Sequence, residues 1–369
     1  MQIPGRYEEL AGYRHFIPNP LSELPEIRLS KELLELYGET MHNLGRIDAL
    51  SGSLPDSRAL VKAYVMKEAL LSSEIEGTVA TLTEVMAAEQ PGMRSENRDT
   101  QDVLNYFEAT GRALQMLKAD GLPLVERVIK AAHRILLDTD AGQGKTPGEY
   151  RKQSVAVGRH IPPAAPYIPD LMKDLERFIN GDASAALLKA GIAHVQFETI
   201  HPFLDGNGRI GRLLIVLGYI HDGLLREPLI YPSYYFKRFR SEYYASLDGV
   251  RLKGDWLGWL RFYLRAINET ATDTEIRAGK LLKVTHEYRE YIDGMSIKKA
   301  RQLLPALLEY PVFNIGQLAR KIEVSYPTAN AIVKKLEGVG IVKQRSTQRR
   351  NKSYRLEKYM DILEDDTNF

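Results

Sequence analysis

The strongest constraint on this 369-residue chain is a twelve-residue segment that leads into a buried helix. It runs His201-Pro202-Phe203-Leu204-Asp205-Gly206-Asn207-Gly208-Arg209-Ile210-Gly211-Arg212 and continues as an apolar run over residues 213–217. Glycines permit a sharp turn and the apolar run predicts a buried helix, so the order is that of a loop entering a helix N-terminus. The free N–H groups and the dipole of such a terminus bind anions, above all phosphate.

The charged residues of this segment indicate chemistry on a nucleotide. Arg209 and Arg212 lie three positions apart and share one face of the predicted helix, which suits a ligand with more than one phosphate. His201 has the side chain that suits a general base near neutral pH, and Pro202 disfavours helical dihedrals there. Asp205 supplies a carboxylate of the kind that Mg²⁺ prefers beside substrate phosphates. Together these residues predict transfer from a nucleotide to a hydroxyl group.

The segment resembles the signature of the Fic family, His-Pro-Phe-x-Asp-Gly-Asn-Gly-Arg-x-x-Arg, whose members are mostly protein adenylyltransferases. The resemblance implies that His201 deprotonates a Ser, Thr or Tyr hydroxyl of a target protein, that Asp205 holds Mg²⁺, and that AMP is transferred while pyrophosphate leaves. A kinase-like branch of the family has lysine in place of Gly208, so this chain is expected to transfer AMP. The phosphates of ATP would be bound by Gly206, Asn207, Gly208, Arg209 and Arg212.

A second motif, Ser72-Ser73-Glu74-Ile75-Glu76-Gly77, ends an apolar-periodic segment that begins near residue 56 and predicts a helix with Gly77 as its C-cap. By itself Glu76 is a solvated acid at a helix end. The pattern Ser72-x-x-x-Glu76-Gly77 nevertheless resembles the inhibitory motif of Fic proteins, in which the glutamate pairs with the second signature arginine, here Arg212. We therefore expect Glu76 to occupy the place of the γ-phosphate. The residues leave open whether Glu76 also positions water to remove AMP again.

Two further segments resemble parts of Fic proteins. Val155 and Val157 alternate with smaller residues as in a short strand, and the family has a β-hairpin flap here that aligns the target backbone. An ordinary surface hairpin is the alternative. The pair Tyr243-Tyr244 resembles a tyrosine pair near the adenine, although such pairs are usually packing residues.

A zinc site is a competing interpretation of one helix. His194, Glu198 and His201 lie at positions i, i+4 and i+7, and on one helix face they could bind zinc as in a metallohydrolase. The spacing differs from His-Glu-x-x-His, and Pro202 disrupts helical geometry at His201. His194 is therefore expected to be a hydrogen-bonded helix residue.

The composition restricts the class of protein. Absence of cysteine excludes disulfides and cysteine-ligated zinc, and the sequence has neither an apolar run of transmembrane length nor a signal peptide at its start. A cytoplasmic protein without a membrane partner is expected. The net charge of +2 is uneven, because residues 296–369 contain 14 Lys and Arg but only 8 Asp and Glu. This excess of positive charge indicates an acidic partner for the C-terminal part.

The C-terminal part has the pattern of a helix-turn-helix followed by a basic hairpin. One short helix opens at Asn314, and Ser325 is a good N-cap for the next, over residues 326–336. Strands at 341–343 and 353–356 then bracket a basic loop with Arg345, Arg349, Arg350 and Lys352. This order resembles a winged helix, whose second helix would enter a DNA major groove while the loop meets phosphates. Winged helices also serve protein contacts and dimerisation.

Most of the remaining chain predicts helices, at residues 27–50, 101–118, 123–137, 168–179 and 184–200. We therefore expect an all-α fold: a Fic helical core with a small β-hairpin flap, plus a C-terminal winged helix-turn-helix domain. The expected domains are an N-terminal helical region with the inhibitory helix (1–100), the Fic catalytic core (101–270), a linker helix (271–295) and the winged-helix domain (296–369).

The sequence as a whole predicts a protein adenylyltransferase that uses ATP and Mg²⁺ and is inhibited by its own Glu76. Its partners would be a target protein with a hydroxyl side chain, itself included, and DNA through the winged helix; the family also suggests a homodimer. The alternative is a DNA-binding transcriptional regulator in which the Fic core is a sensor.

Overall fold

The fold is mostly helical, with two small antiparallel sheets among the described residues. The computed structural model describes the chain except residues 1–3, 11, 54–56, 90–94, 140–141, 183, 296–298, 346–351 and 366–369. Strands β1 (Gly5–Leu10) and β2 (Tyr13–Pro18) precede helices α1 (Lys31–Ser53), α2 (Ser57–Ile75), α3 (Leu82–Ala88), α4 (Arg98–Lys118), α5 (Glu126–Leu136), α6 (Ile168–Ile179), α7 (Ala186–Ile200), α8 (Asn207–His221), α9 (Ser233–Arg238), α10 (Arg240–Lys253) and α11 (Trp256–Gly294). The C-terminal part comprises α12 (Ala300–Glu309), β3 (Val312–Asn314), α13 (Ile315–Lys321), α14 (Tyr326–Gly338), β4 (Val342–Gln344), β5 (Ser353–Leu356) and α15 (Glu357–Glu364). The expected all-α class is confirmed.

Helices α7 and α8 form the centre of the core and bracket the signature segment. Both are buried along almost their whole length, and they pack against each other. Helix α7 ends before His201, as the following proline predicts, but His201 adopts a left-handed conformation with φ 48° and not the extended one that proline favours. The chain then turns through Gly206, at φ 75°, into α8. His201 and the N-terminus of α8 are thereby placed at the two ends of one short loop.

Helix α2 lies across this centre and packs on α4, α8 and α9. Its apolar residues are buried, among them Leu60, Tyr64, Leu70 and Leu71. The helix ends just before Glu76, and Gly77 follows at φ 98°, so the predicted helix end is confirmed. The carboxyl end of α2 is thus directed at the start of α8.

The N-terminal hairpin is a feature that the sequence did not predict, because residues 1–100 were expected to be helical. Strand β1 pairs with β2 from Gly5 opposite Pro18 to Leu10 opposite Tyr13. The last four residues of β2 are buried in succession, so the strand lacks the alternation by which half-buried strands are recognised. The Phe16 N–H donates to the Ile161 carbonyl at 2.9 Å. The hairpin therefore supports the segment in which the flap was expected.

The C-terminal elements follow the predicted order of helix, turn, helix and hairpin. Ser325 caps α14 by accepting from the Thr328 N–H, and β5 lies between β3 and β4. The basic-loop residues Arg349 and Arg350 lie outside the described residues. Helix α11 is continuous from residue 256 to 294, so the boundary expected at residue 270 falls inside one helix.

The C-terminal part touches the helices that precede the core. The Lys62 ammonium on α2 donates to the Glu309 carbonyl at 2.7 Å and lies 4.2 Å from the centre of the Tyr310 ring. The Thr83 N–H on α3 donates to the Glu364 carboxylate on α15 at 3.0 Å. In the described part of the chain, no helix is both long enough and apolar enough to cross a membrane.

Candidate active site

His201 is a half-buried, neutral base at the end of α7. Its Nδ1 is buried and has no hydrogen-bond partner among the described residues. Burial, reinforced by the positive charges of Arg151 and Arg251, lowers the pKa of the imidazole to about 3. At physiological pH the ring is therefore uncharged and can accept a proton.

The loop after His201 is held rigid by two side chains. The His133 ring stacks on the Phe203 ring with centroids 3.7 Å apart, and its Nδ1 accepts from the Gly148 N–H at 2.8 Å. Its Nε2 therefore carries the proton and donates to the Asp205 carbonyl at 3.0 Å. The Asn207 amide accepts from the Phe203 N–H and donates to the Phe203 carbonyl, both at 2.9 Å. The Asn207 side chain is thus a brace of the loop, and only its backbone remains for a ligand.

The start of α8 has the features of an anion site. Its N-cap, Gly206, makes no side-chain cap, so the first N–H groups of α8 lack the partner that a capping side chain provides. A side chain on Gly206 would meet Leu136 and the His133 ring, and its φ is that of a glycine. The Arg209 side chain is mostly buried beside this terminus, 3.9 Å from Asp205, whose side chain is 49% exposed.

The second signature arginine is paired with the predicted inhibitory glutamate. Arg212 is buried, with 1% of its side chain exposed, and its Nη2 donates to Glu76 Oε1 at 2.7 Å. Its Nε donates to the Ser72 hydroxyl at 2.8 Å and its Nη2 to the Ser72 carbonyl at 2.9 Å. A Cβ on Gly208 would lie 2.2 Å from Glu76 Oε1. The Glu76 carboxylate therefore lies directly against the backbone at the start of α8.

Electrostatics favours the ionised form of both partners. Burial opposes the charge of Glu76, but the charges of Arg212, Arg209 and Arg240 outweigh it and lower the pKa of the carboxyl. Burial likewise opposes the charge of Arg212, but Glu76, Tyr243 and Glu198 raise the pKa of the guanidinium. Glu76 thus fills the anion site with the chain's own negative charge.

Contacts with α9 fix the C-terminal half of α2. Glu74 forms an ion pair with Lys237 at 2.9 Å. The Glu68 carboxylate accepts from the Ser233 N–H at 3.1 Å and from its hydroxyl. Burial raises the pKa of Glu68 to about 8, so its neutral form is favoured at pH 7. These contacts hold Glu76 in register with Arg212.

The predicted tyrosine pair is divided between core and surface. Tyr243 is buried, stacks on Phe236 and hydrogen-bonds its hydroxyl to His194 Nε2 at 2.8 Å, while Tyr244 is partly exposed beside Arg240. His194 Nδ1 lies 2.7 Å from the Gly211 carbonyl. Both ring nitrogens of His194 are thus engaged, which removes it from the alternative zinc site. Within the described ranges no cluster of three or more potential ligands could hold a metal ion.

The expected flap is a tight turn with a single bridge. The Val157 N–H donates to the His160 carbonyl at 2.8 Å, and the His160 N–H donates back at 3.0 Å. Gly158, at φ 59°, permits the two-residue turn between them. Val155 is half-buried and does not belong to a regular strand.

Sequence reasoning gave no role to His133, Arg151 or the hydroxyl of Ser72. Arg151 is buried and donates to the His201 carbonyl at the start of the signature loop and to the Pro163 carbonyl. Ser72 was part of the quoted motif, so a search for partners of Arg212 could have included it. His133 and Arg151 are isolated in the sequence, and no local signal marks them.

Comparisons with known proteins agree with this geometry. Residues 34–115 match the Fic/DOC family N-terminal model, and residues 123–217 match the Fic/DOC family model. The protein adenylyltransferase Fic of Drosophila melanogaster is 32% identical over 249 residues, which are 66% of this chain and 48% of that protein. The protein adenylyltransferase Fic of Drosophila persimilis is 32% identical over 235 residues, covering 60% and 44%. The chain spans less than half the length of these relatives.

Solved structures show the same fold. A Fic family protein from Desulfovibrio desulfuricans G20 superposes with a TM-score of 0.56 at 22% identity, covering 90% of this chain and 98% of that one. Fic-1 (residues 134–508) from C. elegans gives a TM-score of 0.52 at 23% identity, covering 68% and 74%. The helical core of this chain, with His201 beside the uncapped start of α8, therefore has the Fic fold. Residues 34–115 and 123–217 of this chain therefore form the two Fic/DOC family domains.

Proposed function

We propose that this protein transfers AMP from ATP to a Ser, Thr or Tyr hydroxyl of a target protein, itself included. One observation carries the proposal: a half-buried, neutral histidine and an uncapped helix N-terminus with two arginines lie at the two ends of one rigid loop. Drosophila relatives that are 32% identical to this chain are named protein adenylyltransferases, which supports this reaction. The partly exposed Tyr244 leaves surface near Arg240 for an adenine ring.

In this reaction His201 removes the proton of the target hydroxyl, and the oxygen attacks the α-phosphorus of ATP. A P–O bond to AMP forms, the bond to pyrophosphate breaks, and pyrophosphate leaves with the electron pair. The N–H groups of α8 with Arg209 and Arg212 stabilise the charge on the phosphates. Asp205 suits Mg²⁺, because a half-exposed carboxylate beside a phosphate site is the usual protein contribution to this ion. The ion would neutralise phosphate charge when bound.

The proposed activity is restrained by Glu76. A phosphate that uses Arg212 must first displace a carboxylate 2.7 Å from the guanidinium. The same carboxylate lies against Gly208, where a phosphate would approach the helix terminus. ATP would bind weakly or in a nonproductive pose until Glu76 moves. Removal of AMP by a water on Glu76 is a separate activity, tested by incubating AMP-modified protein with wild type and with Glu76→Gly.

Intact-mass measurement after incubation with ATP and Mg²⁺ tests the proposal. Glu76→Gly protein should gain the mass of one or more AMP units, and Glu76→Gly with His201→Ala should gain none. A gain of phosphate mass instead of AMP would overturn the choice of reaction. Unchanged mass of the single variant, with and without an added protein extract as target, would overturn the transferase function itself.

DNA binding by the C-terminal part is a second candidate function. The outward side of α14 is exposed and polar, with Thr328, Lys334 and Lys335 among its residues. The Arg355 charge is not available to DNA, because this guanidinium contacts three carboxylates, those of Glu357, Asp361 and Glu364. Binding of duplex DNA by the full chain should weaken steeply with salt and be reduced by Lys334→Glu with Lys335→Glu. Equal binding by that variant would exclude α14 as the DNA contact.

A further inference from the structure

One arginine hydrogen-bonds three successive carbonyls after α7. Arg151 donates from Nη2 to the Ile200 carbonyl at 3.3 Å and from Nε to the His201 carbonyl at 2.8 Å. Its backbone N–H donates to the Pro202 carbonyl at 2.9 Å. A cation with several donors at a helix C-terminus satisfies carbonyls that the helix itself leaves unpaired. The backbone on both sides of the His201 imidazole is thus fixed by one residue.

The same guanidinium closes the base of the flap. Arg151 Nη1 donates to the Gln153 carbonyl at 3.0 Å, and Nη2 donates to the Pro163 carbonyl at 2.6 Å. These two carbonyls lie on the two limbs of the turn. At the end of the turn, His160 Nε2 lies 3.0 Å from the Thr199 carbonyl. This carbonyl directly precedes the three carbonyls that Arg151 hydrogen-bonds. The flap and the end of α7 are therefore joined at four consecutive carbonyls, three through side chains and the fourth through the backbone N–H of Arg151.

His201 needs such support, because its backbone is in the left-handed region at φ 48°. A non-glycine residue remains there only where the surroundings determine its conformation. Lysine has a single ammonium and could not reach the carbonyls of both the α7 end and the flap, whereas the planar fork of arginine does. The geometry therefore requires the guanidinium group and not only a positive charge.

We propose that Arg151 is a positioning residue of the transfer reaction, which fixes His201 and couples its place to that of the target-docking flap. This role rests on the proposed adenylyltransferase function. It predicts that the rate of transfer, and not the affinity for ATP, depends on Arg151, since none of its hydrogen bonds reaches α8. The guanidinium acts through the backbone and does not touch the reacting atoms.

A second consequence is electrostatic. Arg151 on one side and Arg251 from α10 on the other face His201, with His160 and the backbone of Glu198 also nearby. Burial and these positive charges keep the pKa of His201 low. Arg151 itself remains charged at neutral pH, because burial lowers its pKa only to about 10. Loss of the Arg151 charge should therefore raise the pKa of His201 toward its ordinary value.

Two variants in the Glu76→Gly background separate position from charge. Arg151→Met removes both, so kcat should fall on the order of 10²-fold and the acidic limb of the pH–rate profile should move to higher pH. Arg151→Lys retains the charge, so kcat should fall while the pH profile stays in place. The KM for ATP should be unchanged in both. Guanidinium ion added to Arg151→Met should restore part of kcat.

The matched control is Lys152→Met, which removes the same charge from the exposed neighbouring side chain. It should leave kcat and the pH profile unchanged. Thermal unfolding of each variant separates loss of fold from loss of rate, and if Arg151→Met does not fold, Arg151→Lys carries the test. Retained kcat in a folded Arg151→Lys, or a loss confined to the KM for ATP, would overturn the proposed role.

A readout without turnover keeps the two proposals distinguishable. The imidazole of His201 can be titrated by NMR in protein labelled at histidine nitrogens, with His201→Gln used to assign the signal. A pKa that rises in Arg151→Met and not in Lys152→Met supports the placement of Arg151 even if Glu76→Gly transfers no AMP. In that case the transferase function fails while the role of Arg151 beside His201 stands. An unchanged titration would refute the electrostatic part.

Discussion

Replacement of Glu76 by glutamine should tighten ATP binding by a predictable amount. The variant keeps the shape of the side chain and removes the charge that faces Arg212 at 2.7 Å. A charge-assisted hydrogen bond of this kind contributes about 1.5–3 kcal/mol. Because 38% of the Glu76 side chain is exposed, screening by water favours the lower part of that range, about 1.5–2 kcal/mol. At about 1.4 kcal/mol per factor of ten, the dissociation constant for ATP should fall roughly 10- to 30-fold.

The same change should lower stability when no nucleotide is present. Arg212 is buried, and without the Glu76 charge its guanidinium keeps the hydroxyl and carbonyl of Ser72 as neutral partners. An incompletely compensated buried charge costs about 1–3 kcal/mol, so Tm should fall. ATP phosphates replace the lost charge, so the rise in Tm on adding ATP should be larger in the variant than in the wild type.

The assay is calorimetric titration with a non-hydrolysable ATP analogue and Mg²⁺, together with thermal unfolding at several analogue concentrations. Glu96→Gln is the control, since it makes the same chemical change at an exposed carboxylate outside the site. It should leave both quantities as in the wild type. Equal analogue affinity in Glu76→Gln and wild type would refute the reasoning that Glu76 and the nucleotide compete for Arg212.

Three further changes test other parts of the site. Gly208→Ala should lower the Tm of the wild type, because a Cβ there would lie 2.2 Å from Glu76 Oε1. The same substitution should lower the Tm of Glu76→Gly by less, and equal losses would contradict this contact. The kcat/KM of Glu76→Gly should be maintained down to about pH 5, because burial lowers the pKa of His201 to about 3 and the imidazole is protonated only near and below that pH. A fall in kcat/KM centred near pH 6.5 would instead indicate a solvated histidine. Glu364→Gln weakens the acceptor of Thr83 that joins the C-terminal part to α3. It should raise AMP transfer by the wild type and leave Glu76→Gly unchanged, whereas equal effects on both would indicate general loosening.

Local patterns predicted the elements that carry the signature. Helix α6 was predicted at residues 168–179 as found, and α7 within two residues of its start, because their apolar residues repeat at helical spacing. The end of α7 at residue 200 followed from Pro202, since proline disfavours helical dihedrals in the residue before it. The loop and the start of α8 were likewise determined by nearby glycines. These features depend on short-range sterics, which a single sequence contains.

Local sequence patterns could not predict the contacts between distant segments. The pairing of Glu76 with Arg212 spans 136 positions and was expected only because the motif resembles that of Fic proteins. His133 and Arg151 had no such motif, and each acts on backbone carbonyls more than 49 positions away. The hairpin of β1 and β2 was missed because burial of β2 comes from tertiary packing against the segment at Ile161. A single sequence contains no direct record of such packing.

The charges of the site imply how the inhibition that we propose would end. In the folded protein the pKa of Glu76 lies below its usual value. The pairing with Arg212 therefore stabilises the fold fully at any pH above the pKa of Glu76 in the unfolded chain, and this stabilisation is lost as the pH falls through the lowered pKa. His201 is neutral above about pH 3, so the base and the inhibitory ion pair are both in place throughout the neutral range. A change of pH therefore cannot free Arg212 while the protein is folded and active. Release requires that the end of α2 move, against the ion pair of Glu74 with Lys237, or that an anion displace the carboxylate.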